Sequence, residues 1–282
     1  MSGAETRPGD EGFARVATGV FRDLQARLCA AFEAFEPTSR FHARSWTKPA
    51  EHRLQGGGES RLMRGEVFEK VGVNVSHVWG VLPVESRAQV AGADASAGRF
   101  VACGISLVAH MTNPYVPAVH LNLRYLSTSR AWFGGGSDLT PTFPMAEDTQ
   151  AFHAALRQAC DAYRPGAYKE YKEWCDRYFY LPHRQEPRGV GGVFFDELAS
   201  ADSRADFDLV RALGEALLHV YPQIVARRKD TPYDGQAREQ LLVKRGRYVE
   251  FNLVYDRGTR FGFSTDADPD AYLMSLPPLV KW

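Results

Sequence analysis

From Phe13 to about Phe35, apolar residues recur every four positions, at Val16, Val20, Leu24, Leu28 and Phe32, which predicts an amphipathic helix. A polar, glycine-rich stretch follows through Gly56-Gly57-Gly58. Beyond it the period shortens to two. Val71-Gly72-Val73-Asn74-Val75-Ser76 alternates as a strand, Phe100 to Val108 reads as a buried strand, and Val116 to Leu126 alternates again. Ala131-Trp132-Phe133 starts another strand. Asp148 to about Tyr178 is helical in pattern, broken near Arg164-Pro165-Gly166. Gly189 to Phe195 is a glycine-bearing strand. Phe207 to Arg228 is a second long helix, with Leu209, Leu213, Leu217, Leu218, Tyr221 and Ile224 on its buried side. Tyr248 to Tyr255 alternates as a strand, Arg257-Gly258 reads as a turn, and Arg260 to Ser264 as the returning strand of a hairpin. The apolar tail, Leu273 to Trp282, is expected to dock on the body of the protein. Residues 1–12 are small, polar and aperiodic, and are expected to be disordered. Strands and helices do not alternate strictly, and neither a repeat nor a linker is visible. The prediction is one α+β (α/β) domain over 13–282, a large, mainly antiparallel sheet flanked on both sides by helices.

One strand carries the most chemistry. Val119 to Tyr125 puts His120, Asn122 and Arg124 on one face and Val119, Leu121, Leu123 and Tyr125 on the other. An imidazole, an amide and a guanidinium in a row suit the floor of a site for an acidic ligand. The same residues also suit a satisfied interior hydrogen-bond network.

Composition narrows the classes. The 282 residues are 44% hydrophobic and 24% charged, and Lys plus Arg equals Asp plus Glu at 34 each. That balance favours neither nucleic acid nor an anionic membrane as partner. No apolar run approaches the roughly 20 residues of a membrane span. The N-terminus has no apolar signal core, and Cys29, Cys103, Cys160 and Cys175 form no CxxC pair. A reduced, cytoplasmic protein with unpaired thiols is the expectation.

Three further segments bear on function. His110, His120, His153 and His183 can ligate a divalent metal if the fold gathers them, although no HxH, HExxH or Cys-His spacing is present. Independent polar or core histidines are the alternative. Trp132 to Pro141 holds Gly134-Gly135-Gly136 ahead of Asp138, with no following lysine, which excludes a P-loop. Asp138 is a candidate acid or base there, or the cap of a flexible turn. Pro182 to Asp196 carries Arg184 and Arg188 beside a glycine-rich apolar strand, which suits a carboxylate-bearing ligand or a solvated loop. Gly246 to Gly262, with Arg247, Glu250, Asn252, Asp256 and Arg257 among aromatics, suits catalysis or a subunit interface.

Six segments, GGGESRLMRGEVFEKVGVNVS (56–76), SLVAHMTNPYVPAVHLNLRY (106–125), WFGGGSDLTP (132–141), YKEWCDRYFYLPHRQEPRGVGGVFFDEL (171–198), GRYVEFNLVYDRGTRFG (246–262) and LMSLPPLVKW (273–282), together resemble the oxygen-dependent coproporphyrinogen-III oxidases. The resemblance spans nearly the whole chain. It implies oxidative decarboxylation of two propionates of coproporphyrinogen III to vinyl groups, giving protoporphyrinogen IX, with O2 consumed and CO2 released. It implies a homodimer in which 248–282 supplies contact. It places Ser106, Asn122, Leu123 and Arg124 at the substrate, makes His120 a proton donor, sets Asp138 facing the pyrrole nitrogens, and assigns His110, His120, His153 and His183 to a divalent metal. A glycine/arginine loop of the family is replaced by Asp266-Ala267-Asp268, whose carboxylates would repel a propionate. The loop between Tyr125 and Trp132 is shorter than usual, and Ala131 replaces a common tryptophan. No flavin, haem or nicotinamide fingerprint is present, so no organic cofactor is expected. Arg184 and Arg188, with Arg124, are expected to hold spectator carboxylates. Rival readings are a metal-dependent hydrolase, a non-catalytic tetrapyrrole-binding module and a structural scaffold.

Overall fold

The computed structural model describes residues 12–264 and 268–282. In chain order its elements are α1 (Phe13–Glu33), β1 (His42–Thr47), β2 (Leu54–Met63), β3 (Lys70–Val81), α2 (Val84–Arg87), β4 (Arg99–His110), β5 (Ala118–Ser127), β6 (Ala131–Thr140), α3 (Ala146–Tyr163), α4 (Ala167–Tyr178), β7 (Tyr180–Leu181), β8 (Glu186–Pro187), β9 (Gly191–Leu198), α5 (Ser203–Arg228), α6 (Gly235–Val254), α7 (Arg257–Ser264) and α8 (Pro269–Tyr272). Seven strands pair in the order β1-β2-β3-β4-β5-β6-β9, and every pairing is antiparallel. The predicted α+β class and large antiparallel sheet are what the chain forms.

The two faces of the sheet differ in kind because the side-chain period is two. On the first face Val71, Val73, Ile105, Leu107, Leu121, Leu123 and Tyr125 are buried under α1 and α5. The α1 stripe includes Phe21, Leu24, Leu28 and Phe32, each at most 4% exposed. Burying each such side chain contributes about 1.5–3 kcal/mol. The second face is half-open and carries small and polar residues, with α6, α7 and the C-terminal segment over its borders. Met274 lies against Gly72, where a Cβ would come within 2.4 Å of its Sδ. Asn74 Nδ2 donates to Ala271 O at 2.8 Å, and Lys70 Nζ to Leu276 O at 2.8 Å. The tail docks as expected, and Lys281 N donates to Leu242 O at 3.0 Å.

Two sequence expectations fail. The hairpin expected over 248–264 is helical: Tyr248 to Val254 ends α6, and Arg257-Gly258 opens α7. The buried positions Leu241, Arg245, Tyr248 and Asn252 follow a 3.6-residue stripe, but two of them are polar, so apolarity alone reads as alternation. Asp234 caps α6 by accepting from Ala237 N at 2.8 Å, and the Asp256 carboxylate accepts from Thr259 N at 2.7 Å. The stretch through 56–58 that carried no strand prediction holds β1 and β2. The edge strand β1 is mostly exposed, so no apolar alternation marks it. Residues 1–11 of the expected disordered segment, with Asp266 and Ala267 of the changed loop, lie outside the described residues.

Candidate active site

Register aligns the polar rows of the second face. Val108, His120 and Asp138 are successive cross-strand partners; so are Asn74, Ser106, Asn122 and Gly136; so are Ser76, Gly104, Arg124 and Gly134. The glycines stand inside β6, not in a flexible turn, and Asp138 is a strand residue. Without side chains at 104, 134 and 136, the middle of the floor is flat and low, bordered by Ser106, Asn122 and Arg124.

At one border lies a buried charge network. Asp138 Oδ1 is 2.8 Å from His120 Nδ1, and both Asp138 oxygens accept from Arg188 Nη2, at 2.7 and 2.6 Å. Arg188 Nη1 donates to Asn252 Oδ1 at 3.1 Å. Asp138 and Arg188 are each 2% exposed, and the guanidinium lies over the rings of Phe179, Tyr248 and Phe251 at 3.9, 4.5 and 4.8 Å. Burial pushes the Asp138 carboxyl up, but Arg188 and His120 outweigh it and hold it below its ordinary range. Burial likewise disfavours the Arg188 cation, and Asp138 more than restores it. An ionised Asp138 is a hydrogen-bond acceptor for His120 Nδ1–H, a contact that favours the tautomer with its acceptor lone pair on Nε2.

The remaining predicted residues fall in four places. Ser106 and Asn122 line the floor, and Asn122 Oδ1 accepts from Arg124 Nη1 at 3.0 Å. The Leu123 side chain does not reach the site: period-two geometry turns it into the first-face core, fully buried. Arg188 does not present its charge to the floor, because Asp138, Asn252 and three rings enclose it. Asp138 is likewise enclosed behind His120 and offers no free oxygen toward a macrocycle. Arg184 pairs with Glu250 at the surface, at 2.7 Å, and with His183 it draws that carboxyl down to about 2. Asp268 caps α8, accepting from Asp270 N at 3.0 Å, and pairs with Arg44 of β1 at 2.9 Å; its charge is spent at the sheet edge.

The four histidines are not gathered; among the described residues no cluster of three or more His, Cys, Asp or Glu side chains is placed to hold a metal. Each makes its own local contacts. His110 Nε2 donates to Ser275 O at 2.8 Å, and its Nδ1 is buried without a partner. His153 Nε2 donates to Val190 O at 3.0 Å and Nδ1 accepts from Tyr168 at 2.9 Å. His183 is held between Glu250 and Tyr255 at 2.7 and 2.8 Å. The donor set does not fit the implied metal, because each imidazole answers to a different neighbour.

Sequence reading missed Asp196. Its oxygens pair with Arg124 at 2.9 Å and Arg257 at 3.0 Å, above the gap left by Gly134. The signal available was the alternation of Phe194 and Asp196 on one face of β9.

A polar floor beside a half-buried His120 and a buried Asp138 is the candidate enzyme site of an antiparallel α+β sheet. Residues 16–282 match the family model for coproporphyrinogen III oxidase, and the chain belongs to that family. It is 49% identical to an oxygen-dependent coproporphyrinogen-III oxidase of Rickettsia bellii, over 95% of this chain and 97% of that protein. The protein of the same name from Rickettsia akari is 48% identical over the same shares.

Proposed function

We propose that the chain catalyses the aerobic oxidative decarboxylation of coproporphyrinogen III to protoporphyrinogen IX. Each propionate takes the balance R–CH2CH2–COO⁻ + O2 + H⁺ → R–CH=CH2 + CO2 + H2O2. The electrons come from the electron-rich macrocycle itself, so the protein's tasks are binding, proton handling and exclusion of water. The observation that carries this reading is the floor of Ser106, Asn122 and Arg124 flanked by the Asp138-oriented His120.

His120 Nε2 is the group that takes or returns a proton at the macrocycle. Asp138 and Arg188 act through it: the carboxylate fixes the tautomer, and the guanidinium keeps the carboxylate ionised. This replaces the expectation that Asp138 itself meets the pyrrole nitrogens and that Arg188 holds a propionate. Arg124, although paired with Asp196, is a cation on the floor that can meet a spectator carboxylate. The reacting carboxylate loses its charge as CO2 leaves, so an arginine clamp on it would stabilise the ground state more than the transition state. No step is routed through a metal.

A homodimer and a cytoplasmic site of action belong to the same reading. Leu253, Val254, Phe263, Leu279 and Trp282 are 43–70% exposed near the C-terminal end, and a self-complementary contact would cover them. Among the described residues no helix is long and apolar enough to cross a membrane. The deciding experiment supplies coproporphyrinogen III with and without O2. Vinyl product with O2 uptake in air, and neither under anaerobiosis, is expected; intact propionates in air would overturn the reading.

A further inference from the structure

We propose that Asp196 is a positioning residue that yokes two arginines from distant segments into one receptor for a substrate carboxylate. The inference rests on the function proposed above and extends its binding site. Arg124 comes from the floor of β5, and Arg257 from the first turn of α7. Each guanidinium takes a different oxygen of the same carboxylate, Oδ1 at 2.9 Å and Oδ2 at 3.0 Å. Two cations against one anion leave the group one positive charge in excess. The excess is on the accessible side: the Asp196 side chain is 11% exposed, Arg124 29% and Arg257 57%.

Independent features of the chain build this cluster. A Cβ at Gly134 would stand 2.6 Å from Asp196 Oδ1 and 2.9 Å from Arg124 Nε, so the pair occupies the space that the glycine leaves. The β6–β9 register shifts between Phe133 and Gly135, and Glu197 sits at φ 53°. This bulge follows Asp196, sends Glu197 outward to Arg130, and returns Leu198 to the first-face core. Asp196 thereby stays on the second face while its neighbours do not crowd it. Arg257 is steered from the other side: it lies over Tyr178 and Phe194 at 5.2 and 5.6 Å, and its N–H donates to Tyr178 OH at 3.1 Å. The remaining N–H groups of the two guanidinia suit a carboxylate of the substrate.

An asparagine at 196 would accept from one arginine and turn its NH2 toward the other. Arg257, the more exposed, would then leave. The test is the affinity for coproporphyrin III, the oxidised and unreactive macrocycle bearing the same four carboxylates, read by fluorescence for wild type, D196N, R257Q and the double variant. Each single change is expected to weaken binding about tenfold. The double variant is expected to lose little more than either single one, and D196E to recover part of the loss. In turnover, KM is expected to rise more than kcat falls. Binding by D196N as tight as wild type, or fully additive losses, would overturn the inference. Thermal unfolding checks the fold, and R257Q against R257K carries the test if D196N does not fold. Wild-type turnover with unchanged D196N affinity sinks this inference alone; wild type that neither binds nor turns over sinks both.

Discussion

His120 Nδ1 and Asp138 Oδ1 stand 2.8 Å apart as direct cross-strand partners, and the carboxylate of that pair is held from behind by Arg188. The imidazole is thus aimed by a charge that has no other open contact. Asp138→Asn should cut kcat by about 10²–10⁴, because the amide NH2 would face Nδ1 and force the other tautomer. KM should change little. Asp138→Ala should in addition lower stability by about 3–5 kcal/mol, since it strands a buried guanidinium. Steady-state kinetics beside urea denaturation separate the two effects; a fully stable alanine variant would show that Arg188 finds another partner.

Arg188→Met is expected to destabilise by a similar amount by leaving Asp138 buried and uncompensated. The double change Asp138→Asn with Arg188→Met should cost clearly less than the sum of the single changes. Additive losses in a denaturation cycle would mean that the two side chains are not coupled.

Acid stability should depend on His110. Burial, with Arg245, Lys70 and Arg188 nearby, lowers it from 6.5 to about 3, while its bond to Ser275 O opposes the shift. Between those values the unfolded chain binds a proton that the native protein does not. Native stability from this group therefore rises with pH across that window, by up to about 1.4 kcal/mol per pH unit, and is lost on acidification. His110→Gln should flatten that part of a stability-against-pH curve; an unchanged slope would place the acid sensitivity elsewhere.

Filling the floor should harm binding and not folding. Ser106 is half-buried between Asn74 and Asn122, so Ser106→Leu should raise KM severalfold or abolish turnover. Its stability should stay within about 1 kcal/mol of wild type. Retained activity at normal KM would show that the macrocycle does not lie on this row.

The exposed end of α6 offers a direct check of assembly. Val254, 54% exposed, should be covered in a dimer, and Val254→Glu should shift sedimentation from dimer toward monomer. A wild-type monomer at all concentrations would remove the dimer from the proposal.

Much of this was legible along the chain. The period-two runs at 71–76, 100–108 and 116–126 are strands because one face of each meets the helices α1 and α5, and burial writes itself into sequence as alternation. The row His120, Asn122 and Arg124 could be placed on one face for the same reason. Edge strand β1 escaped because neither of its faces is well buried. Helix α6 was misread because its buried stripe holds Arg245 and Asn252, whose partners are remote in sequence.

By itself the sequence determined the class of fold, the polar strand face and the family resemblance, all of which rest on local periodicity or contiguous motifs. Only the tertiary structure decided how each charge is used. Arg188 joins Asp138 across 50 residues, Arg257 joins Asp196 across 61, and each predicted metal histidine has a separate partner. The physical reason is that an ionic group's role depends on burial and on the counter-charge within about 4 Å, and chain order encodes neither.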